Sequence, residues 1–178
     1  YRTLQPKKTV EVCSGYSLPT LTMVKRFGTE GICVDTDDDG LAVGRAIAEK
    51  LGISIMQVRE DLFAYLRREG PSLKGATLMA TAAYCFDREK GRPPGSGEGD
   101  LLDLAVAHAM DLAILPYRSG ETMRTGISQE KKRLDDYEAR LRKASYEVAR
   151  HPTQGVLPQL GAPGWFYLEI LTARRIPS

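Results

Sequence analysis

The stretch Val-Glu-Val-Cys-Ser-Gly-Tyr-Ser, residues 10–17, indicates the fold of this chain. Its first half, Val10–Cys13, is a short apolar run that stops at Ser14-Gly15, a pair typical of turns, so a buried strand is predicted there. The turn leads into Leu18–Phe27, where apolar residues recur at every third position, and Gly28 is suited to end that helix. A strand that passes through small residues into a helix is the first half of a βαβ unit.

Strands and helices continue to alternate along the chain. Further strands are predicted at Gly31–Asp35, Ile53–Val58, Ala76–Tyr84, Asp111–Pro116, Ser145–Ala149 and Trp165–Ala173. Further helices are predicted at Leu41–Leu51, Leu62–Arg68, Asp100–Met110 and Ser128–Ala144, and the Gly/Pro-rich stretch Asp87–Gly99 as a mobile loop. Strands joined by helices form right-handed βαβ units, whereas the last two strands have no helix between them. The sequence therefore predicts one α/β domain over residues 1–178, with a Rossmann-like architecture of three layers. A mostly parallel seven-stranded sheet with a C-terminal antiparallel hairpin lies between two layers of helices.

The charge and apolar content exclude several classes of function. Lys and Arg number 25 and Asp and Glu 23, so the net charge is +2. This near balance gives no electrostatic reason to expect a protein that coats nucleic acid or binds a membrane surface. No run of the sequence reaches the ~18–20 consecutive apolar residues of a membrane span. A protein that acts at a membrane is therefore not expected.

The cysteines indicate the compartment. Cys13, Cys33 and Cys85 form no CxxC pair, so neither a disulfide framework nor a structural zinc site is predicted. Unpaired thiols fit a reducing, intracellular location, and we expect the cytoplasm. The sequence begins with Tyr1 rather than Met, as a fragment or processed form would, so a partner domain or subunit is also expected.

The turn after the first strand is the candidate binding site. Ligands of open α/β sheets bind beyond the carboxyl ends of the strands, where the strand order reverses. Glu11 on the strand, small residues at the turn and a helix N-terminus make a site suited to a polar small molecule. Asp35 ends the second strand about twenty residues later, where a carboxylate can accept hydrogen bonds from both hydroxyls of a ribose.

These residues resemble the class I S-adenosylmethionine-dependent methyltransferases. The first motif of that family is an acidic residue followed by small residues at alternate positions, which here are Glu11, Cys13, Gly15 and Ser17. Asp35 matches the acidic end of the family's second strand, and Asp61 stands where the family has the Asp that binds the adenine amino group. Within the family, Cys13-Ser14-Gly15 is similar to a methyltransferase-like subgroup. Its Pro-Cys-Cys after the fifth strand is replaced here by Pro116-Tyr117-Arg118.

The resemblance implies methyl transfer from S-adenosylmethionine to an acceptor that is not identified, with RNA as one candidate. The cofactor-binding residues that it implies are Glu11, Cys13, Ser14, Gly15, Tyr16, Ser17, Asp35, Thr36, Asp61, Leu62 and Thr81. No catalytic residue is assigned, and Tyr84 and Tyr117 are the candidates on the acceptor side. The transfer is a direct displacement that depends on positioning more than on acid–base chemistry.

A non-catalytic scaffold subunit with the same fold is the main alternative. Cys13 and Ser17 stand where the family usually has glycine, as they would in a copy that has lost cofactor binding. Such a copy would have its pocket filled, with Tyr16 or Leu18 in the place of the methionine moiety.

A helix-turn-helix DNA reader is a further alternative. Ala48, Gly52 and Val58 have the spacing of that motif, and Ser54–Tyr65 would then be one recognition helix with Gln57 and Arg59 facing the bases.

A calcium site is not expected. Residues 35–40 resemble the opening of an EF-hand loop, but the twelfth position, which needs a bidentate Glu, is Ala46. No metal is therefore predicted.

Overall fold

The computed structural model describes residues 6–80, 98–114, 134–152 and 169–177. Its strands are β1 Lys8–Val12, β2 Glu30–Asp35, β3 Met56–Arg59, β4 Thr77–Ala80, β5 Asp111–Ile114, β6 Tyr146–Pro152 and β7 Glu169–Arg175. They form one seven-stranded sheet in the order β3-β2-β1-β4-β5-β7-β6. The first five strands are parallel, and β7 is antiparallel to both of its neighbours.

Helices cover both faces of this sheet. They are α1 Leu18–Phe27, α2 Asp38–Leu51, α3 Leu62–Glu69, α4 Glu98–Ala107 and α5, residues 134–143, with a short 3-10 turn at Gly70–Leu73. The main core lies between one face of the sheet and α3, α4 and α5, whereas α1 and α2 pack on the strands of the other face. Within the described residues, no helix combines the length and the apolar character needed to traverse a bilayer.

The alternation of side chains along β1 sets which residues face which layer. Val10 and Val12 belong to the main core, so Glu11, between them, points to the side of α1. In β2, Ile32 and Val34 likewise enter the main core, and Cys33 faces the side of Glu11. The site described below therefore rests on the α1–α2 side of the sheet.

The predicted fold is confirmed, with shifts at the ends of elements. The helix α1 has the predicted bounds, and α1 and α2 end at Gly28 and Gly52, both in the left-handed conformation that glycine adopts without strain. The helix α2 begins earlier than predicted, at Asp38, and β3 begins later, at Met56, where its pairing with β2 starts.

The prediction that residues 98–99 belong to a loop is wrong. The helix α4 already begins at Glu98, because the burial of Leu101, Leu102 and Ala105 stabilises this helix through its first turn, although Gly99 is a weak helix former. The predicted loop up to residue 97, the end of the fourth predicted strand from residue 81 and the start of the helix predicted from Ser128 lie outside the described residues.

The helix-turn-helix alternative is wrong. That motif requires a helix over Ser54–Tyr65, but Met56–Arg59 form a strand that pairs with β2. The residues from Ile53 to Val58 include three β-branched side chains, which favour strand over helix when a neighbouring strand is available.

Candidate functional site

The strand order reverses beside β1. This strand lies between β2 and β4, so the connections that follow β1 and β4 leave on opposite faces of the sheet. A crevice forms at such a point beyond the carboxyl ends of parallel strands, and ligands of α/β sheets bind there. The loop of residues 13–17 follows β1 directly at this place, and Asp35 ends the neighbouring β2.

The loop of residues 13–17 has an unusual backbone. Three of its residues have a positive φ in the left-handed region, namely Cys13 at 53°, Gly15 at 46° and Ser17 at 59°. These are the three positions at which the sequence resemblance places small residues. A left-handed conformation costs a residue with a Cβ roughly 1–2 kcal/mol. The loop therefore has a shape that suits glycine, although two of the three side chains are larger.

Asp35 ties this loop to the start of α2. Its Oδ2 accepts a hydrogen bond of 2.7 Å from the Gly15 N–H, and its Oδ1 accepts one of 2.9 Å from the Asp37 N–H. Each carboxylate oxygen can accept a second hydrogen bond, so Asp35 retains capacity for a ligand. The carboxylate is thus placed beside the loop, as predicted, and also holds the loop in position.

Glu11 supports the same loop from below. Its side chain is fully buried, and Oε2 accepts a hydrogen bond of 2.9 Å from the N–H of Thr20, the third residue of α1. The first N–H groups of a helix have no partner within the helix, and the residue before it usually supplies one. Ser17 occupies that position but makes no capping bond. Glu11 takes over the capping role across nine residues of sequence.

Cys33 lies in this buried polar layer next to Ser17 and Thr20. Burial raises the pKa of its thiol to about 11, and the negative charge of Glu11 adds to this, whereas the neighbouring hydroxyls of Ser17 and Thr20 oppose it. Only the thiolate is a nucleophile, so Cys33 is chemically inert near neutral pH. Its role is to pack between β2 and α1.

Known structures share this architecture. No protein-family model matches the sequence, and no curated protein matches it either. An rRNA methylase from Streptococcus thermophilus superposes with a TM-score of 0.60 at 12% identity, over 97% of this chain and 89% of the other. A SAM-dependent methyltransferase from Agrobacterium tumefaciens gives a TM-score of 0.64 at 14% identity, over 98% and 60% of the two chains. A SAM-dependent methyltransferase from Geobacter sulfurreducens, solved with S-adenosyl-L-homocysteine, gives 0.56 at 15% identity, over 83% and 61%.

The chain has the class I methyltransferase fold. The fold predicted from the resemblance is therefore confirmed, including the antiparallel strands at the end of the sheet. At identities of 15% or less, these likenesses concern the fold alone. This chain spans about three fifths of the length of the Agrobacterium and Geobacter proteins, which are longer.

In this methyltransferase fold, the end of β3 lies beside Asp35. The Glu60 N–H donates to the Asp35 carbonyl oxygen at 3.0 Å, which fixes the following Asp61 near the same edge. Asp61 Oδ1 accepts from the Phe63 N–H at 3.0 Å and from the Ala64 N–H at 2.9 Å, so Asp61 caps α3. Its predicted contact with an adenine amino group stays a prediction. Leu62, next to it, is half-buried against the main core.

Tyr16 and Leu18 point outward from the methyltransferase fold. Their side chains are 58% and 52% exposed, so neither is packed into the crevice as the scaffold alternative predicts. Thr36 is also exposed at the end of β2, and Ser14 is buried, with its N–H donating to the Val34 carbonyl oxygen at 3.3 Å.

Three predicted residues fall outside the described part of the chain, namely Thr81, Tyr84 and Tyr117. Among the residues that are described, no three or more His, Cys, Asp or Glu side chains group as a metal ion would require. Sequence reasoning also missed Thr20, whose N–H binds Glu11. The local sequence carries no signal for that contact, because it depends on how α1 packs on β1.

Proposed function

We propose that this chain binds S-adenosylmethionine at the loop of residues 13–17 and transfers its methyl group to an acceptor. The observation that carries the proposal is the hydrogen bond between the Gly15 N–H and the Asp35 carboxylate, beside the reversal of strand order. It places a loop backbone that a ligand can approach closely beside a carboxylate that can accept further hydrogen bonds. Solved methyltransferases of the same fold, one of them with S-adenosyl-L-homocysteine, support the choice of cofactor.

The residues present fit such a cofactor. Asp35 would accept hydrogen bonds from the ribose hydroxyls, Leu62 would pack on the adenine, and the loop backbone would lie along the methionine part. The cofactor, when bound, supplies an activated methyl group on a sulfonium. Glu11 is fully buried and would act by holding the loop rather than by touching the ligand. The chain contributes positioning, which is the main requirement of a direct displacement.

An RNA acceptor is our proposal for the substrate class, supported by the similar fold of the Streptococcus rRNA methylase. The edge after β2 and β3 is rich in carboxylates, which are Asp35, Asp37, Asp38, Asp39, Glu60 and Asp61. These charges would repel a polyanion, so RNA would have to approach from the side of β4 and β5. Incubation with methyl-labelled cofactor and separated RNA, protein and small-molecule fractions tests this. Label that appears only in protein or small molecules would contradict it.

Calorimetric titration with S-adenosylhomocysteine tests the cofactor site. We expect micromolar binding by the wild type and at least a tenfold weaker Kd for Asp35→Asn, because the variant loses a charged acceptor, worth about 1.5–3 kcal/mol. Asp39→Asn is the matched control, since it makes the same charge change on an exposed residue of the same acidic run. It should bind like the wild type.

The outcomes separate the alternatives. Absence of binding by a wild-type sample that circular dichroism shows to be folded would overturn the proposal and favour the scaffold subunit. Equal affinity of Asp35→Asn and Asp39→Asn would leave a cofactor-binding protein whose site lies elsewhere.

A further inference from the structure

We propose that Gly40 and Gly44 of α2 are positioning residues, which hold the loop of residues 13–17 against Asp35 and thereby set the affinity for the cofactor. The inference rests on the proposed function. It adds two residues that lie outside the loop and that no part of the sequence resemblance points to.

Helix formation alone does not favour these glycines. Both are buried within α2, and neither has the positive φ that would require glycine. Alanine is the better helix former at such positions. A reason for glycine must therefore come from what α2 packs against.

Gly44 packs directly on the loop. A Cβ at this position would lie 3.0 Å from Ser17 Oγ, 3.1 Å from the Tyr16 carbonyl oxygen and 3.1 Å from Gln57 Nε2. Favourable contacts between carbon atoms lie at about 3.5–4.0 Å, so these neighbours would have to move by a few tenths of an ångström.

Gln57 is poorly placed to make room. Its Nε2 donates to the Leu41 carbonyl oxygen at 2.7 Å, and its Oε1 accepts from Arg45 Nε at 3.1 Å. Both ends of the amide are held by α2 itself. A methyl group at residue 44 would therefore push on the loop, at the Tyr16 carbonyl and the Ser17 side chain.

Gly40 meets the residue that binds Asp35. A Cβ at residue 40 would lie 3.2 Å from both the Cα and the carbonyl carbon of Gly15, and 2.9 Å from Asp37 Oδ2. The Asp37 side chain can rotate away, but the Gly15 backbone can move only together with its 2.7 Å hydrogen bond to Asp35. The two glycines thus lie against consecutive parts of the same loop, Gly40 against Gly15 and Gly44 against Tyr16 and Ser17.

The test compares Gly44→Ala with Gly70→Ala. Gly70 follows α3 on the other face of the sheet, and a Cβ there would overlap the ring of His108, so this control also crowds a buried glycine. We expect the Kd for S-adenosylhomocysteine to rise at least about tenfold in Gly44→Ala, because the shifted loop backbone would no longer match the cofactor, and a tenfold change corresponds to about 1.4 kcal/mol of binding free energy. Gly70→Ala should keep the wild-type Kd despite a lower melting temperature. Gly40→Ala replaces Gly44→Ala if circular dichroism shows that the latter does not fold.

Amide hydrogen exchange of Gly15 provides a readout that needs no ligand. We expect faster exchange in Gly44→Ala and wild-type exchange in Gly70→Ala. A wild type that binds, together with a Gly44→Ala variant that binds equally well, would overturn this inference and leave the proposed function intact. A wild type that does not bind would overturn the proposed function and, with it, the link to affinity. The Gly15 exchange rates would then test only whether the glycines of α2 position the loop, and unchanged rates in Gly44→Ala would refute that role.

Discussion

Replacing Ser17 with glycine is expected to stabilise the protein, whereas the same replacement at Ser14 is expected to destabilise it. Both serines are buried and belong to the same loop, with exposures of 0% and 5%. They differ in backbone conformation, because Ser17 has a φ of 59° and Ser14 is not among the residues with a positive φ. The pair therefore isolates the effect of the left-handed backbone.

The magnitudes follow from two opposing terms. Glycine increases the conformational entropy of the unfolded chain, which costs roughly 0.5–1 kcal/mol at either position. A serine in the left-handed region costs roughly 1–2 kcal/mol, and glycine removes that cost at residue 17 only. Ser17→Gly should raise the free energy of unfolding by about 0.5–1 kcal/mol, and Ser14→Gly should lower it by a similar amount.

Thermal unfolding followed by circular dichroism measures the difference. For a chain of 178 residues, 1 kcal/mol corresponds to about 2–4 °C in Tm, so the two variants should differ by about 2–8 °C. Equal shifts in both variants would show that residue 17 carries no left-handed strain. The left-handed backbone described for the loop, on which the proposed site depends, would then be refuted.

Three further predictions concern the supports of the site and the core. Asp35→Ala should lower the free energy of unfolding in urea by about 2–3 kcal/mol, because two backbone amides lose a charged acceptor, whereas Asp39→Ala should change it by less than about 0.5 kcal/mol. Equal values would show that Asp35 does not hold the loop. Gly70→Ala should cost about 1–3 kcal/mol through overpacking against the His108 ring, and His108→Ala in the same chain should recover part of it; no recovery would place the clash elsewhere. The pKa of Cys33 is raised from 9.0 to about 11 in the folded protein, so its contribution to stability is complete below pH 9 and lost as the pH rises to 11. The free energy of unfolding of the wild type relative to Cys33→Ala should therefore fall across this range by at most about 2.7 kcal/mol, and a constant difference would refute the burial of a neutral thiol.

Much of the fold could be predicted because its signals are local. The predicted bounds of the helix α1 are correct, since the apolar spacing from Leu18 and the helix-ending Gly28 both act within a few residues. Two interpretations of Ile53–Val58 are open from sequence, because its alternation predicts a strand whereas the spacing of Ala48, Gly52 and Val58 fits a helix-turn-helix. Pairing with β2, a strand more than twenty residues earlier, decided between them.

The candidate site divides in the same way. The residues that end the strands can be recognised from the sequence alone, which places Cys13–Ser17 and Asp35 at one edge of the sheet. The contacts of Asp35 with the Gly15 N–H and of Glu11 with the first turn of α1 are visible only in the folded chain. The period of two along a strand tells which side chains share a face, but not which helix N-terminus or loop amide will meet them. Those contacts depend on the register of β1 with β2 and on how closely α1 and α2 pack, and both are set by parts of the chain that are distant in sequence.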